Sequence, residues 1–160
     1  MKYEYYDKYI NKKTKRYDIT PLFENPEIFA NLLKDLLKPF NKDYDKIAGL
    51  DALFIIALAQ KKIFISIRKK LPINNSVLKS SQFIDYSSFK SLEINKSSVK
   101  KEKIIIIDEW IETTQIKESI TLIENLGVVV ITTLCAHKNK QTEFLFNNYN
   151  LHSINIINEM

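Results

Sequence analysis

The sequence predicts an α/β fold: a mostly parallel sheet flanked by helices. Three observations carry that expectation. Residues 63–67 and 104–107 are short runs rich in isoleucine, apolar on both alternating faces apart from Ser66, as strands covered on both faces must be. Other stretches carry apolar residues at helical spacing instead. The two kinds of segment alternate along the chain, and that alternation builds a parallel sheet with helices as its crossovers.

Taken in order, residues 1–15 are polar and aromatic without a clear period. They read as an N-terminal arm, partly helical, ahead of a single domain over residues 16–160. Asn25-Pro26 starts a helix, with Asn as the cap and Pro at the first helical position. Ile28, Phe29, Leu32, Leu33, Leu36 and Leu37 then mark its apolar face, and Pro39 closes it. Residues 47–50 read as a short strand, with Asp51 free to cap a helix over 52–61. A buried strand follows at 63–67. Residues 68–81 are basic, then polar, and contain Pro72 and Asn74-Asn75, so they read as a mobile loop. Residues 82–86 and 91–95 are weaker strands that suit a hairpin. Residues 104–107, the amphipathic stretch 116–126 and residues 128–134 form a βαβ unit. A last helix is expected over 143–149 and a last strand over 154–157.

The chain has 160 residues, enough for one domain with a core that needs no disulfide or structural metal. Cys135 is the single cysteine, which excludes a disulfide framework and a cysteine-based zinc site, and its apolar neighbours make it a buried, inert thiol. No apolar run approaches the ~20 residues that span a bilayer, and the charged, aromatic N-terminus is unlike a signal peptide. A cytoplasmic enzyme or binding protein is the plain expectation. The formal charge of +5 suits phosphorylated ligands, but the lysines are scattered rather than striped and no helix-turn-helix or zinc finger is visible, so a nucleic-acid partner is not expected. Only 2 residues are glycine, Gly49 and Gly127, far below the usual ~7%. A phosphate site here must therefore manage with few glycines.

The most informative stretch is Ile104-Ile105-Ile106-Ile107-Asp108-Glu109-Trp110-Ile111-Glu112-Thr113-Thr114-Gln115. A buried strand runs into two adjacent carboxylates, a hydroxyl-bearing turn and a helix. Carboxylates accept hydrogen bonds from ribose hydroxyls, and a turn followed by a helix N-terminus holds phosphate. In open parallel sheets, ligands bind outside the carboxyl ends of the strands. That rule places Asp51, Arg68 and residues 108–114 along one rim.

On four segments, in order, the chain resembles the type I phosphoribosyltransferases, and most nearly those that act on adenine. Arg16-Tyr17-Asp18-Ile19-Thr20-Pro21-Leu22 resembles the N-terminal segment beside the purine site. Ile47-Ala48-Gly49-Leu50-Asp51-Ala52 resembles the second strand and its pyrophosphate-contacting turn. Ile67-Arg68-Lys69-Lys70-Leu71-Pro72 resembles the basic start of the catalytic loop, and residues 104–115 resemble the phosphoribosyl-pyrophosphate signature. The chain departs from the pattern at Leu53-Phe54 in place of Arg-Gly, at the missing Gly-Lys between Lys70 and Leu71, at Glu112 where a small residue is usual, and at Thr113-Thr114-Gln115 in place of a glycine-containing turn.

The resemblance implies the type I fold with a small hairpin and loop as a hood. It implies transfer of a phosphoribosyl group from phosphoribosyl pyrophosphate to a purine base in nucleotide salvage, with Mg²⁺ and a homodimer. Asp108 and Glu109 would hold the ribose hydroxyls and stabilise positive charge, the alternative being a solvated acidic pair. Thr113, Thr114 and Gln115 would hold the 5-phosphate, or the threonines simply cap a helix; Glu112 beside them would repel phosphate or bind a positive group. Asp51, Ala52, Arg68, Lys69 and Lys70 would meet pyrophosphate; a helix cap and a lysine-rich surface loop are the alternatives. Asp85 would orient or protonate the purine, unless it is only a hairpin charge. Arg16 and Asp18 would frame the base, or pair structurally. Trp110 reads as packing, and no role falls to His137 or His152. The departures leave a second reading open, a catalytically weakened relative that binds phosphoribosyl pyrophosphate or a nucleotide as a regulator or partner subunit.

Overall fold

A computed structural model describes residues 4–11, 13, 18–41, 43–50, 54–69, 77–79, 82–85, 88–111, 113–138, 143–149 and 151–158. Its centre is a parallel sheet of five strands in the order β2-β1-β7-β8-β9. These are β1 (Lys46–Leu50), β2 (Ile63–Ile67), β7 (Lys103–Ile111), β8 (Val128–Lys138) and β9 (His152–Asn158). Four short strands lie outside it: β3 (Val77–Lys79), β4 (Phe83–Asp85), β5 (Ser88–Lys90) and β6 (Glu93–Asn95). The helices are α1 (Glu4–Asp7), α2 (Pro21–Glu24), α3 (Pro26–Leu37), α4 (Phe54–Ala59), α5 (Thr113–Glu124) and α6 (Glu143–Asn148).

The isoleucine run explains the layering. Successive strand residues point to opposite faces, so Ile105 and Ile107 enter one core and Ile104 and Ile106 the other. All four are essentially without solvent exposure. The Ile105 layer packs against the buried face of α3, formed by Ile28, Leu32, Leu33, Leu36 and Leu37, and against Ile56 and Ala57 of α4. The Ile104 layer packs against Ile116, Ile120 and Ile123 of α5, Leu145 of α6 and Ile94 of β6. Tyr6 and Ile10 of the N-terminal arm are buried in the α3 layer, so the arm is packed against the domain.

Local signals act as their chemistry dictates. Asn25 Oδ1 accepts from the Glu27 and Ile28 amides at 3.0 and 3.2 Å and so opens α3. Helix α3 ends at Leu37, and Pro39 sits in the 3₁₀ turn Lys38–Phe40 that follows. Gly127, between α5 and β8, passes so close to residues 100–102 that a Cβ would lie 3.0 Å from the Lys100 and Glu102 carbonyl oxygens. At the start of β1, Lys46 Nζ reaches Glu102 at 2.7 Å and the Ser98 carbonyl at 2.8 Å, which satisfies a largely buried ammonium.

Four expectations need correction. Residues 82–86 do not pair with 91–95: β4 pairs with β5, while β6 pairs with β3. The stretch read as a mobile loop over 68–81 therefore contains a strand, Val77–Lys79. Strands of three residues are too short for a period to show in sequence. The first strand of the βαβ unit does not stop before the acidic pair but continues to Ile111, because β8 runs beside it and pairs as far as Ile111 with Ala136. Helix α4 (Phe54–Ala59) ends two residues before the expected Lys61, while residues 51–53, which include its expected start and the cap Asp51, lie outside the described residues.

Candidate active site

Register brings the carboxyl ends of three strands together. Leu50 of β1 pairs with Ile67 of β2, and Gly49 pairs with Ile107 of β7. Asp108 follows Ile107 on β7, level with Ile67 by the shared pairing to β1, and Arg68 lies one residue further out on β2. They stand two strands apart, so their main chains are separated by about 10 Å, twice the ~4.8 Å strand spacing. A sugar carrying phosphates at both ends can span that gap.

Asp108 is half-buried at the end of the isoleucine run, level with Thr133 of β8. Glu109 follows within the same strand, so the acidic pair is held by a paired backbone and not by a turn. Three residues beyond Trp110, Thr113 opens the 12-residue helix α5. Thr114 is exposed and Gln115 half-buried in its first turn, where amides have no acceptor inside the helix and carry the positive end of its dipole. Further along, the Ser119 hydroxyl donates to the Gln115 carbonyl at 2.9 Å.

Arg68 is exposed just past β2. Its amide donates to the Glu93 carbonyl at 3.1 Å, its carbonyl accepts from the Glu93 amide at 2.6 Å, and its Nε donates to Ser66 Oγ at 2.8 Å. Lys69 beside it is also exposed. Glu93 is 7% exposed, an ionisable residue buried beside the basic segment. Ser66 and Glu93 were not singled out from sequence. Ser66 is a lone polar residue inside the apolar run 63–67, but Glu93 lies in the mixed stretch 91–95 and carries no such signal.

The other expected residues are placed more loosely. Asp85 ends β4, and α5 packs against that strand, so the β4–β5 hairpin lies on the α5 side of the sheet. Asp18 is half-buried and makes two backbone bonds with Asn11, at 2.9 and 3.0 Å. Its Oδ1 accepts from the Thr20 amide at 2.9 Å, and hydrogen bonds from Thr20 hold its carboxyl below the usual carboxylate range. Its carboxylate thus leads the chain into α2. Arg16, Asp51, Ala52, Lys70 and Glu112 lie outside the described residues.

Two other features lie away from this rim. A cavity of about 330 Å³, lined by Lys34, Asp35, Lys38, Asn41, Tyr44 and Gln60 among others, opens beside the segments that enter β1 and β2, at the opposite end of those strands. His152 is half-buried with its ring edge-on to Phe40, and burial pushes its pKa down. Among the described residues no group of three or more His, Cys, Asp or Glu side chains can hold a metal, and no helix is long and apolar enough to cross a membrane.

Comparison with known proteins agrees with this geometry. No protein-family model matches the sequence. The chain is 34% identical over 122 residues to the adenine phosphoribosyltransferase of Jannaschia sp. (strain CCS1), covering 71% of this chain and 68% of the relative. It is 27% identical over 121 residues to that of Cutibacterium acnes, with the same shares covered. Among solved structures, it superposes on adenine phosphoribosyltransferase from Thermoanaerobacter pseudethanolicus with a TM-score of 0.82, at 23% identity, over 97% of this chain and 99% of that one. The Giardia lamblia enzyme complexed with 9-deazaadenine gives 0.82 at 18% identity, over 99% of each chain. At these identities the structures establish the fold.

Proposed function

The chain belongs to the adenine phosphoribosyltransferase family, and on that premise we propose that it joins adenine to the ribose of phosphoribosyl pyrophosphate, forming a nucleoside monophosphate and pyrophosphate in purine salvage. The observation that carries the reading is the shared rim: Asp108 and Glu109 on β7, the start of α5 at Thr113, and Arg68 on β2, aligned by the pairing of both strands with β1.

In this reaction a ring nitrogen of the base bonds to the anomeric carbon as the bond from that carbon to the pyrophosphate oxygen breaks. Positive charge develops on the ribose, and negative charge on the leaving group. The protein needs no covalent intermediate; positioning and fixed charge do the work. Asp108 and Glu109 accept hydrogen bonds from the ribose hydroxyls and stabilise the cationic ring. The first-turn amides of α5, with Thr113, Thr114 and Gln115, hold the 5-phosphate. A 12-residue helix supplies those amides without a glycine turn, which makes the missing glycines tolerable. Arg68, Lys69 and Lys70, together with Asp51 and Ala52, meet the pyrophosphate. Arg16 and Asp18 frame the base, and Asp85 orients or protonates it.

Mg²⁺ is the cofactor this substrate calls for. The residues present fit an ion carried in on pyrophosphate oxygens and water, not one caged by the protein, since the rim offers Asp108 and Glu109 and no larger cluster among the described residues. When bound it neutralises charge on the leaving group. We assign the protein to the cytoplasm and to a homodimer. The relatives are named as enzymes, which does not favour the reading as a weakened binding subunit.

The direct test is a base screen with phosphoribosyl pyrophosphate and Mg²⁺, following release of pyrophosphate. Adenine should be turned over in preference to hypoxanthine and guanine. Absence of turnover with any of the three would sink the proposal.

A further inference from the structure

Strand β2 is apolar except at one position, Ser66, where the burial pattern of the strand is half open. Residues two apart on a strand share a face, so Ser66 stands beneath Arg68, the first residue past the strand. Two independent restraints meet on that arginine. Its main chain is bonded in both directions to Glu93, at 2.6 and 3.1 Å, and Glu93 is itself buried and paired within β6 opposite Lys79. Its side chain is bonded at Nε to Ser66 Oγ at 2.8 Å. The long flexible side chain is thus anchored at the backbone and again at the root of the guanidinium.

We propose that Ser66 is a positioning residue for pyrophosphate recognition: by accepting from Nε it presents the two terminal nitrogens of Arg68 end-on to the phosphate oxygens. This rests on the reading that Arg68 meets pyrophosphate. A guanidinium can grip an oxyanion side-on, through Nε and one terminal nitrogen, or end-on, through both terminal nitrogens. With Nε given to Ser66, only the end-on fork remains. A lysine at position 68 would have neither the fork nor the anchored nitrogen. Because the pair is exposed, its bond contributes little to stability, so its loss should register in ligand affinity and not in folding.

The test is a double-mutant cycle on the full chain: Ser66→Ala, Arg68→Ala, both together, and Ser66→Thr as the conservative variant. The readouts are KM and kcat for phosphoribosyl pyrophosphate with adenine, the calorimetric Kd for pyrophosphate with Mg²⁺, and the urea midpoint. Ser66→Ala should raise KM and Kd about five-fold, the effect of one well-placed hydrogen bond, with kcat within two-fold and the midpoint unchanged. Ser66→Thr should restore KM. In the Arg68→Ala background, Ser66→Ala should have no further effect. Equal effects of Ser66→Ala in both backgrounds, or a failure of Ser66→Thr to rescue, would overturn the positioning role while leaving Arg68 as a pyrophosphate contact. An Arg68→Ala protein with unaltered affinity would overturn that contact, and the positioning role with it.

Discussion

Asp108→Asn is the substitution that most sharply separates a catalytic carboxylate from a solvated one. The change is isosteric, and Asp108 is half-buried at the end of a paired strand, so the fold should tolerate it. What disappears is one negative charge beside the ribose. If a carboxylate lies about 4 Å from the developing positive charge, and the effective dielectric at such a partly buried site is about 20, their attraction is about 4 kcal/mol. Asparagine keeps an acceptor for the ribose hydroxyl, so part of the interaction survives. The expected loss is therefore about 100-fold to 1000-fold in kcat, the range found when a single electrostatic contact to a transition state is removed. The assay is steady-state release of pyrophosphate with adenine, alongside calorimetric affinity for phosphoribosyl pyrophosphate and thermal unfolding. Affinity should fall by much less than kcat, because the full positive charge exists only in the transition state. Glu124→Gln, an exposed carboxylate at the far end of α5, serves as control and should alter kcat less than two-fold. A fall in kcat below about three-fold for Asp108→Asn would refute the assignment of Asp108 to the developing charge.

Three other expectations follow from the same structure. Thr114→Asp places an acid in the first turn of α5; if the turn is only a helix cap, the dipole makes the change neutral or stabilising by up to about 1 kcal/mol, whereas a phosphate site should lose affinity for phosphoribosyl pyrophosphate at least ten-fold with no loss of thermal stability. Ile105→Val and Ile106→Val should each cost about 1 kcal/mol by urea denaturation, because the two side chains fill separate layers and both are buried; a cost below ~0.3 kcal/mol for either would mean that its face is not packed. His152 has its pKa lowered by burial from the ordinary 6.5, so it contributes stability that is fully present above pH 6.5 and is lost as pH falls through its folded-state value. His152→Gln should flatten the stability profile between pH 7 and pH 5, and an unchanged slope there would exclude the effect.

The sequence disclosed the parallel sheet because its signal is strong and local. Ile104-Ile105-Ile106-Ile107 has no polar face, and a strand without one must lie between two layers, as it does. Asn25 and Pro26 marked the start of α3 through chemistry that acts within three residues. The partners of β3 to β6 were not legible, because three-residue strands carry no period and their pairing is decided by contacts distant in sequence. The course of β7 through Asp108 and Glu109 was missed for a related reason: acidic residues look like a turn until a neighbouring strand such as β8 supplies the other half of the ladder. At the rim, the charged residues could be named from the strand-end rule and the resemblance. Ser66 and Glu93 could not, since their importance arises only from their bonds to Arg68.

The central claim is that a carboxylate-bearing strand and a helix N-terminus still make a phosphoribosyl pyrophosphate site in a chain with two glycines. The measurement that tests it most directly is calorimetric titration of phosphoribosyl pyrophosphate into the intact chain, with and without Mg²⁺. One molecule bound per chain, tighter with Mg²⁺ and weakened at least ten-fold by Thr114→Asp, is the expected result. A folded protein of the correct mass that shows no heat of binding under either condition would contradict the claim.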